Sequence, residues 1–158
     1  MPAVSLNGEI ISSTSIRSHI TNGEIEKANE LLGYELTYTL EVVHGNNIGH
    51  GLGFPTINQY FPEGSVVPKN GVYKSWTQID GRNYPSVTNI GVKPTIKEKQ
   101  GEIRPVGMES HIIDYNAELY GKHIRVGLRG FLRDERRFSS LDELKAQLET
   151  DKRAALVK

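Results

Sequence analysis

Thr56 and Asn58 stand two residues apart in LGFPTIN (Leu52–Asn58), directly after a glycine-dense run. Four glycines, Gly45, Gly49, Gly51 and Gly53, precede them. Glycine lets backbone N–H groups approach a phosphate closely, and successive N–H groups form an anion-binding nest. Pro55 pushes Phe54 into extended backbone. If the extension continues, Thr56 and Asn58 project to one side, because strand side chains alternate. Their hydroxyl and amide oxygens are hard ligands of the kind Mg²⁺ takes together with waters and substrate phosphates. The run has no Gly-Lys-Ser or Gly-Lys-Thr, so it is not a Walker phosphate loop. Spacing alone favours a plain glycine-rich turn feeding a strand.

A second candidate is MESHIID, where Glu109 and His111 share one strand face opposite Met108, Ser110 and Ile112. A carboxylate there can act as general base if it lies within hydrogen-bond reach of a hydroxyl. The same pattern also describes a solvated strand face. His111 reads as a hydrogen-bonding support. The five histidines lack metal-ligand spacing, and His44 and His50 carry no ligand signature. A third candidate is FLRDERRF, Phe131–Phe138, where arginines interleave with Asp134 and Glu135. Most of it reads as a charged turn before a helix, although an arginine can also meet a phosphate or stack on a planar ring.

These residues need elements to position them. The first 33 residues read as helical, with capping-box spacing at Thr21 and Glu24 and Gly33 as a helix stop. Leu36, Tyr38, Leu40 and Val42 then alternate with polar residues, as in a half-buried strand. GVYKSWTQI, the Asp80-Gly81 turn and RNYPSVTNIG predict a hairpin. Pro85 predicts that its second strand lies near an edge or starts late. VGMESHIIDY is a further strand. KHIRVGLRGFLRDE is the clearest, with Ile124, Val126, Leu128 and Leu132 expected on one face. Ser140 and Glu143 have capping-box spacing before a final helix built on Leu141, Leu144 and Leu148. Strands joined mostly by turns imply an antiparallel sheet or barrel. The long connections, roughly 44–70 and 92–105, are of the kind that carries function.

The bulk composition narrows the classes. Nineteen basic residues balance nineteen acidic ones, which argues against a generic nucleic-acid binder. Cysteine is absent, excluding a disulfide framework and thiolate metal sites. No apolar run is long enough for a membrane span, and MPAVSLNGEI lacks the pattern of a secretory signal, so a cytoplasmic protein is expected.

GHGLGFPTIN, GVY, TNIGVKPT, ESHIIDYNAELYG, LRDERRF and LDELKAQLETD occur in this order from about Leu36 to the C-terminus. Together they resemble the riboflavin kinase module of the bacterial bifunctional riboflavin kinase/FMN adenylyltransferases. The resemblance implies a mainly β fold: a six-stranded antiparallel Greek-key β-barrel over 34–158 with a C-terminal α-helix, preceded by a short helical segment. IISSTSIR (Ile10–Arg17) resembles the motif that closes the adenylyltransferase domain, and ITNGEIEKANELLG resembles the linker helix. Residues 1–33 are therefore expected to be a remnant of that domain. The bulk of it, with its His-x-Gly-His motif, is not in this sequence, so adenylylation is not expected.

Carried over by position, the resemblance implies ATP and riboflavin as substrates, FMN and ADP as products, and Mg²⁺ as cofactor. It implies that Thr56 and Asn58 hold the metal with the ATP phosphates and that Glu109 is the catalytic base. Gly45, Gly49, His50, Gly51, Gly53 and Pro55 fall in the ATP-binding loop. Asn89, Gly91 and Thr95 match a second loop beside the flavin, and Leu132, Arg133, Glu135 and Phe138 match a flap over it. The family loop often reads Gly-x-Gly-Arg-Gly-Arg. Here Asn47, Ile48 and His50 replace its second glycine and both arginines, which weakens the positive charge near the phosphates. The alternative is a flavin- or nucleotide-binding regulatory module without efficient catalysis. An adenylyltransferase fragment is a third reading, resting on SSTSIR alone.

Overall fold

In the computed structural model, the described residues are 4–6, 9–11, 13–43, 56–92, 106–115 and 118–157. A short antiparallel ribbon, β1 (Val4–Leu6) and β2 (Glu9–Ile11), leads into helices α1 (Ser13–Thr21) and α2 (Ile25–Leu32). Six strands follow: β3 (Leu36–Glu41), β4 (Thr56–Tyr60), β5 (Gly71–Ile79), β6 (Arg82–Val92), β7 (Val106–Ile112) and β8 (His123–Arg133). Helix α3 (Leu141–Leu156) closes the chain.

The six strands form one antiparallel sheet in the order β3-β8-β5-β6-β7-β4. The run β8-β5-β6-β7 is a Greek key: three consecutive strands, with a fourth returning beside the first. The sheet curls so that its outer strands meet, the Val43 N–H donating to the Asn58 carbonyl at 2.8 Å. Buried Gln59 spans the same seam, its amide nitrogen donating to the carbonyls of Leu40 (2.8 Å) and Ile124 (2.9 Å).

The central hairpin follows its local chemistry. Asp80 and Gly81 have φ of 50° and 79°, the left-handed pair that a two-residue primed turn requires. Inside the curl, one apolar cluster contains Tyr73, Ile90, Met108 and Val126, and a second contains Ile57, Ile79, Ile112 and Ile124. Between them the same face carries a buried chain of hydroxyls. Ser75 meets Ser86 at 2.7 Å and Thr88 at 2.8 Å, Thr77 donates to Ser86 at 2.9 Å, and Thr88 meets Ser110 at 2.8 Å. Because these groups satisfy one another, the interior tolerates them, and they fix the β5-β6-β7 register from beneath. Helix α3 lies on the outer face, where Ala155 packs with Val72, Val87, Ile113 and Leu132.

Several expectations are corrected. The first 33 residues are not wholly helical, since β1 and β2 precede α1. Strands of three residues are too short to show an alternation. Thr21 does not cap the second helix: it ends α1, its hydroxyl donating to the carbonyls of Arg17 (3.0 Å) and Ser18 (3.1 Å). Glu24 precedes α2 and makes no capping bond there; its carboxylate meets His19 Nδ1 at 3.1 Å. Gly33 does end α2, in the left-handed conformation, and α2 docks on the barrel through core residue Ile25.

Strand β4 lies inside the 44–70 connection expected from the sequence. Pro85 sits within a central strand that begins before it. It precedes Ser86, where the β7 ladder starts, and its carbonyl accepts from the Ile113 N–H at 2.9 Å, so the missing donor falls beyond that ladder. Leu132 does not share the inner face of Ile124, Val126 and Leu128. A register shift opposite Lys74/Ser75 reverses the alternation, putting Phe131 against Tyr73 inside and Leu132 under α3 outside, and a second opposite Val72/Tyr73 returns Arg133 to the outer face.

Candidate functional site

The antiparallel registers bring three polar residues into one row on the outer face of the sheet. Glu109 of β7 lies directly opposite Asn58 of β4 on one side and Asn89 of β6 on the other. Directly opposed residues share a face, with Cβ atoms about 4.5–5.5 Å apart. The row continues through Val72 to Arg133. Thr56, diagonal to Glu109, donates its hydroxyl to Glu109 Oε1 at 3.1 Å. His111 faces Thr56 across the β4-β7 ladder and is buried. Thr56, Asn58, Glu109 and Asn89 thus come together, although Thr56 and Glu109 are 53 positions apart in the chain.

Asn89 and Gly91 lie within β6, not in a loop beside it. Gly91 pairs with Gly107, which pairs with Tyr60. This makes a floor without side chains next to the polar row, and the Glu135 carboxylate lies over it. A Cβ added at Gly91 would be 2.1 Å from Glu135 Oε1, so the carboxylate occupies the space a side chain would fill there. Gly107 was missed in the sequence. Its signal was spacing: it lies two residues before Glu109, as Gly91 lies two after Asn89.

The remaining flap residues serve α3 in this structure. Arg133 donates from Nε and Nη2 to Asp151 at 3.0 and 2.8 Å, and from Nη1 to the Asp134 carbonyl at 3.1 Å. Phe138 lies by the guanidinium groups of Arg133 and Arg136, at 6.0 and 5.3 Å. Arg136 in turn donates to Glu143 at 2.8 Å. Glu143 is held below the usual carboxylate range, chiefly by the hydrogen bond from the Ser139 hydroxyl, with the Ser139 N–H and Arg136 adding to it. The expected capping box is shifted by one residue: Ser140 accepts from the Glu143 N–H at 3.2 Å, but the Glu143 carboxylate returns to the Ser139 N–H. Asp151, buried and absent from the sequence reading, anchors this arrangement. Gly45, Gly49, His50, Gly51, Gly53, Pro55 and Thr95 lie outside the described residues.

Among the described residues no cluster of three or more His, Asp or Glu could hold a metal ion. A divalent cation at the row would rest on the neutral oxygens of Thr56 and Asn58, with the Glu109 carboxylate adjacent. That donor set fits Mg²⁺, which takes few protein ligands and completes its shell with phosphates and water. No helix among the described residues is long and apolar enough to cross a membrane.

The fold and the row define a small Greek-key barrel carrying a carboxylate between two amides on its outer surface. The family model described as "Flavokinase: Riboflavin kinase" matches residues 32–157. The chain belongs to the riboflavin kinase family. It is 40% identical over 146 residues to the bifunctional riboflavin kinase/FMN adenylyltransferase of Bacillus subtilis, covering 92% of this chain and 46% of that protein. The protein of the same description from Escherichia coli K12 is 38% identical over 149 residues, covering 94% and 46%. A crystal structure described as a macrolide-efflux protein from Streptococcus pneumoniae matches with a TM-score of 0.86 at 31% identity, covering 98% of this chain and 49% of that one. The chain spans about half the length of the relatives it matches.

Proposed function

We propose that this chain transfers the γ-phosphoryl group of ATP to the 5′-hydroxyl of riboflavin, giving FMN and ADP. The observation that carries the reading is the Asn58–Glu109 pair, with Thr56 bonded to the same carboxylate, in a chain of this family. Phosphoryl transfer depends mainly on positioning and charge neutralisation. Thr56 and Asn58 would hold Mg²⁺, which when bound neutralises charge on the transferring phosphate. Glu109 takes the proton of the 5′-hydroxyl as its oxygen attacks the γ-phosphorus in line, and ADP departs with the bonding pair. The hydrogen bond from Thr56 sets the carboxylate's orientation.

The glycines from Gly45 to Gly53, with His50, are proposed to hold the phosphates. Glu135 over the Gly91–Gly107 floor supports a flavin site beside the row, with Leu132, Arg133, Phe138 and Thr95 framing it. Residues 1–33 are proposed to be the end of an adenylyltransferase domain and its linker, whose remainder is the partner in the longer protein. The cytoplasm is the proposed location.

The test is incubation with riboflavin, ATP and Mg²⁺, following FMN and FAD by chromatography with fluorescence detection. FMN without FAD is expected. Riboflavin binding without FMN would replace this reading with that of a regulatory module.

A further inference from the structure

Asn89 occupies a central strand, its backbone committed to ladders on both sides. Among the described residues its side chain makes no hydrogen bond that would explain an amide at this position. The side-chain oxygen Oδ1 is buried and has no partner among the described residues. An unpaired buried acceptor costs about 1–3 kcal/mol, so an apolar residue would serve the fold better. No described residue supplies a donor to it, which leaves the atom open to one brought by a ligand.

The order of the row identifies that donor. Thr56 and Asn58 flank Glu109 from β4, the side proposed for metal and phosphate. Asn89 flanks it from β6, on the opposite side. An alcohol that gives its proton to Glu109 while being phosphorylated from the β4 side must extend toward β6. A vicinal diol suits two acceptors on adjacent strands, because it can donate one hydroxyl to each. We infer that Asn89 is a specificity residue for the acceptor alcohol, its Oδ1 accepting from the hydroxyl next to the one phosphorylated. For riboflavin this is the 4′-hydroxyl. The inference rests on the proposed kinase reading and adds to it the part of the substrate that is read.

The experiment compares riboflavin with 4′-deoxyriboflavin, by quenching of flavin fluorescence and by steady-state turnover, in the wild type and Asn89→Ala. The wild type should bind riboflavin about 10-fold more tightly than the deoxy compound, the scale of one buried hydrogen bond. Asn89→Ala should erase that preference by weakening riboflavin alone, leaving the KM for ATP and the Mg²⁺ titration unchanged. Asn89→Leu, which keeps the side-chain volume, is measured alongside so that a folding defect in the alanine variant does not decide the matter. A preference that survives in both variants overturns the inference while leaving the kinase reading intact. A shifted Mg²⁺ requirement overturns it in favour of a metal ligand. A wild type that neither binds nor phosphorylates riboflavin removes the kinase reading and the inference together.

Discussion

Glu109 faces Asn58 directly across the β4-β7 ladder and accepts a 3.1 Å hydrogen bond from Thr56, the residue diagonal to it. The carboxylate is thus oriented by one neighbour and stands opposite another. Replacing its charge while keeping its shape isolates the proton-accepting role. Glu109→Gln should lower riboflavin phosphorylation by about 10²–10⁴-fold, the usual share of a general base. Riboflavin binding, read by fluorescence quenching, should change little. Near-normal turnover in this variant would remove Glu109 from the mechanism.

Asn58 is buried, and its backbone carbonyl is already taken by Val43 at the barrel seam. Its side chain is therefore the part available to a cation. Asn58→Ala should raise the Mg²⁺ concentration needed for half-maximal turnover by about tenfold, the effect of one lost polar ligand interaction of about 1.4 kcal/mol. A titration of activity against Mg²⁺ at saturating ATP reads this directly. An unchanged curve would mean that other groups hold the metal.

The site was legible in the sequence to the extent that its residues shared a strand. Thr56 with Asn58, and Glu109 with His111, follow from alternation alone. The hairpin at Asp80-Gly81 was legible because its turn chemistry is local. What joins β4 to β7 and β7 to β6 is register, a nonlocal choice that no single segment carries. Leu132 shows the same limit: the bulge that turns it outward arises from pairing with β5. Asp151 reads as an ordinary polar position on a helix until Arg133 is placed against it.

Asp151 is nearly fully buried, at 4% exposure, and receives two bonds from Arg133 and one from Gln147 at 3.0 Å. Removing it leaves a largely buried guanidinium without its charge partner. Asp151→Ala should cost about 3–5 kcal/mol of stability, the penalty for breaking a buried pair from one side. Denaturant unfolding followed by circular dichroism measures this. A loss below about 1 kcal/mol, as for an exposed pair, would mean that the contact does not hold α3 to the sheet.

Trp76 lies over Gly127, its directly opposed partner on β8, so closely that an added Cβ would be 2.1 Å from the indole ring. The ring is buried and flanked by Arg125 at 5.9 Å, so it has little room to withdraw. Gly127→Ala should destabilise the barrel by about 1–3 kcal/mol through overpacking. Trp76→Leu in the same background should recover part of the loss. A Gly127→Ala variant with unchanged thermal stability would show that the indole moves freely.

Tyr38 and Tyr73 give the fold an alkaline limit. Burial pushes both phenols well above their ordinary value, with Tyr73 raised further by its neighbours Tyr38 and Asp134. Each donates to a backbone carbonyl, Tyr38 to Val66 at 2.7 Å and Tyr73 to Lys69. A raised folded-state pKa favours the fold while the unfolded chain also keeps the proton. The contribution is therefore complete below about pH 10, where an exposed tyrosine titrates, and is lost as pH rises beyond it. Denaturant midpoints should fall steadily above about pH 10. In an ultraviolet tyrosinate titration, two of the seven tyrosines should ionise only as the protein unfolds. Tyr73→Phe should flatten the alkaline decline, and a decline of equal slope in that variant would assign the pH dependence to other groups.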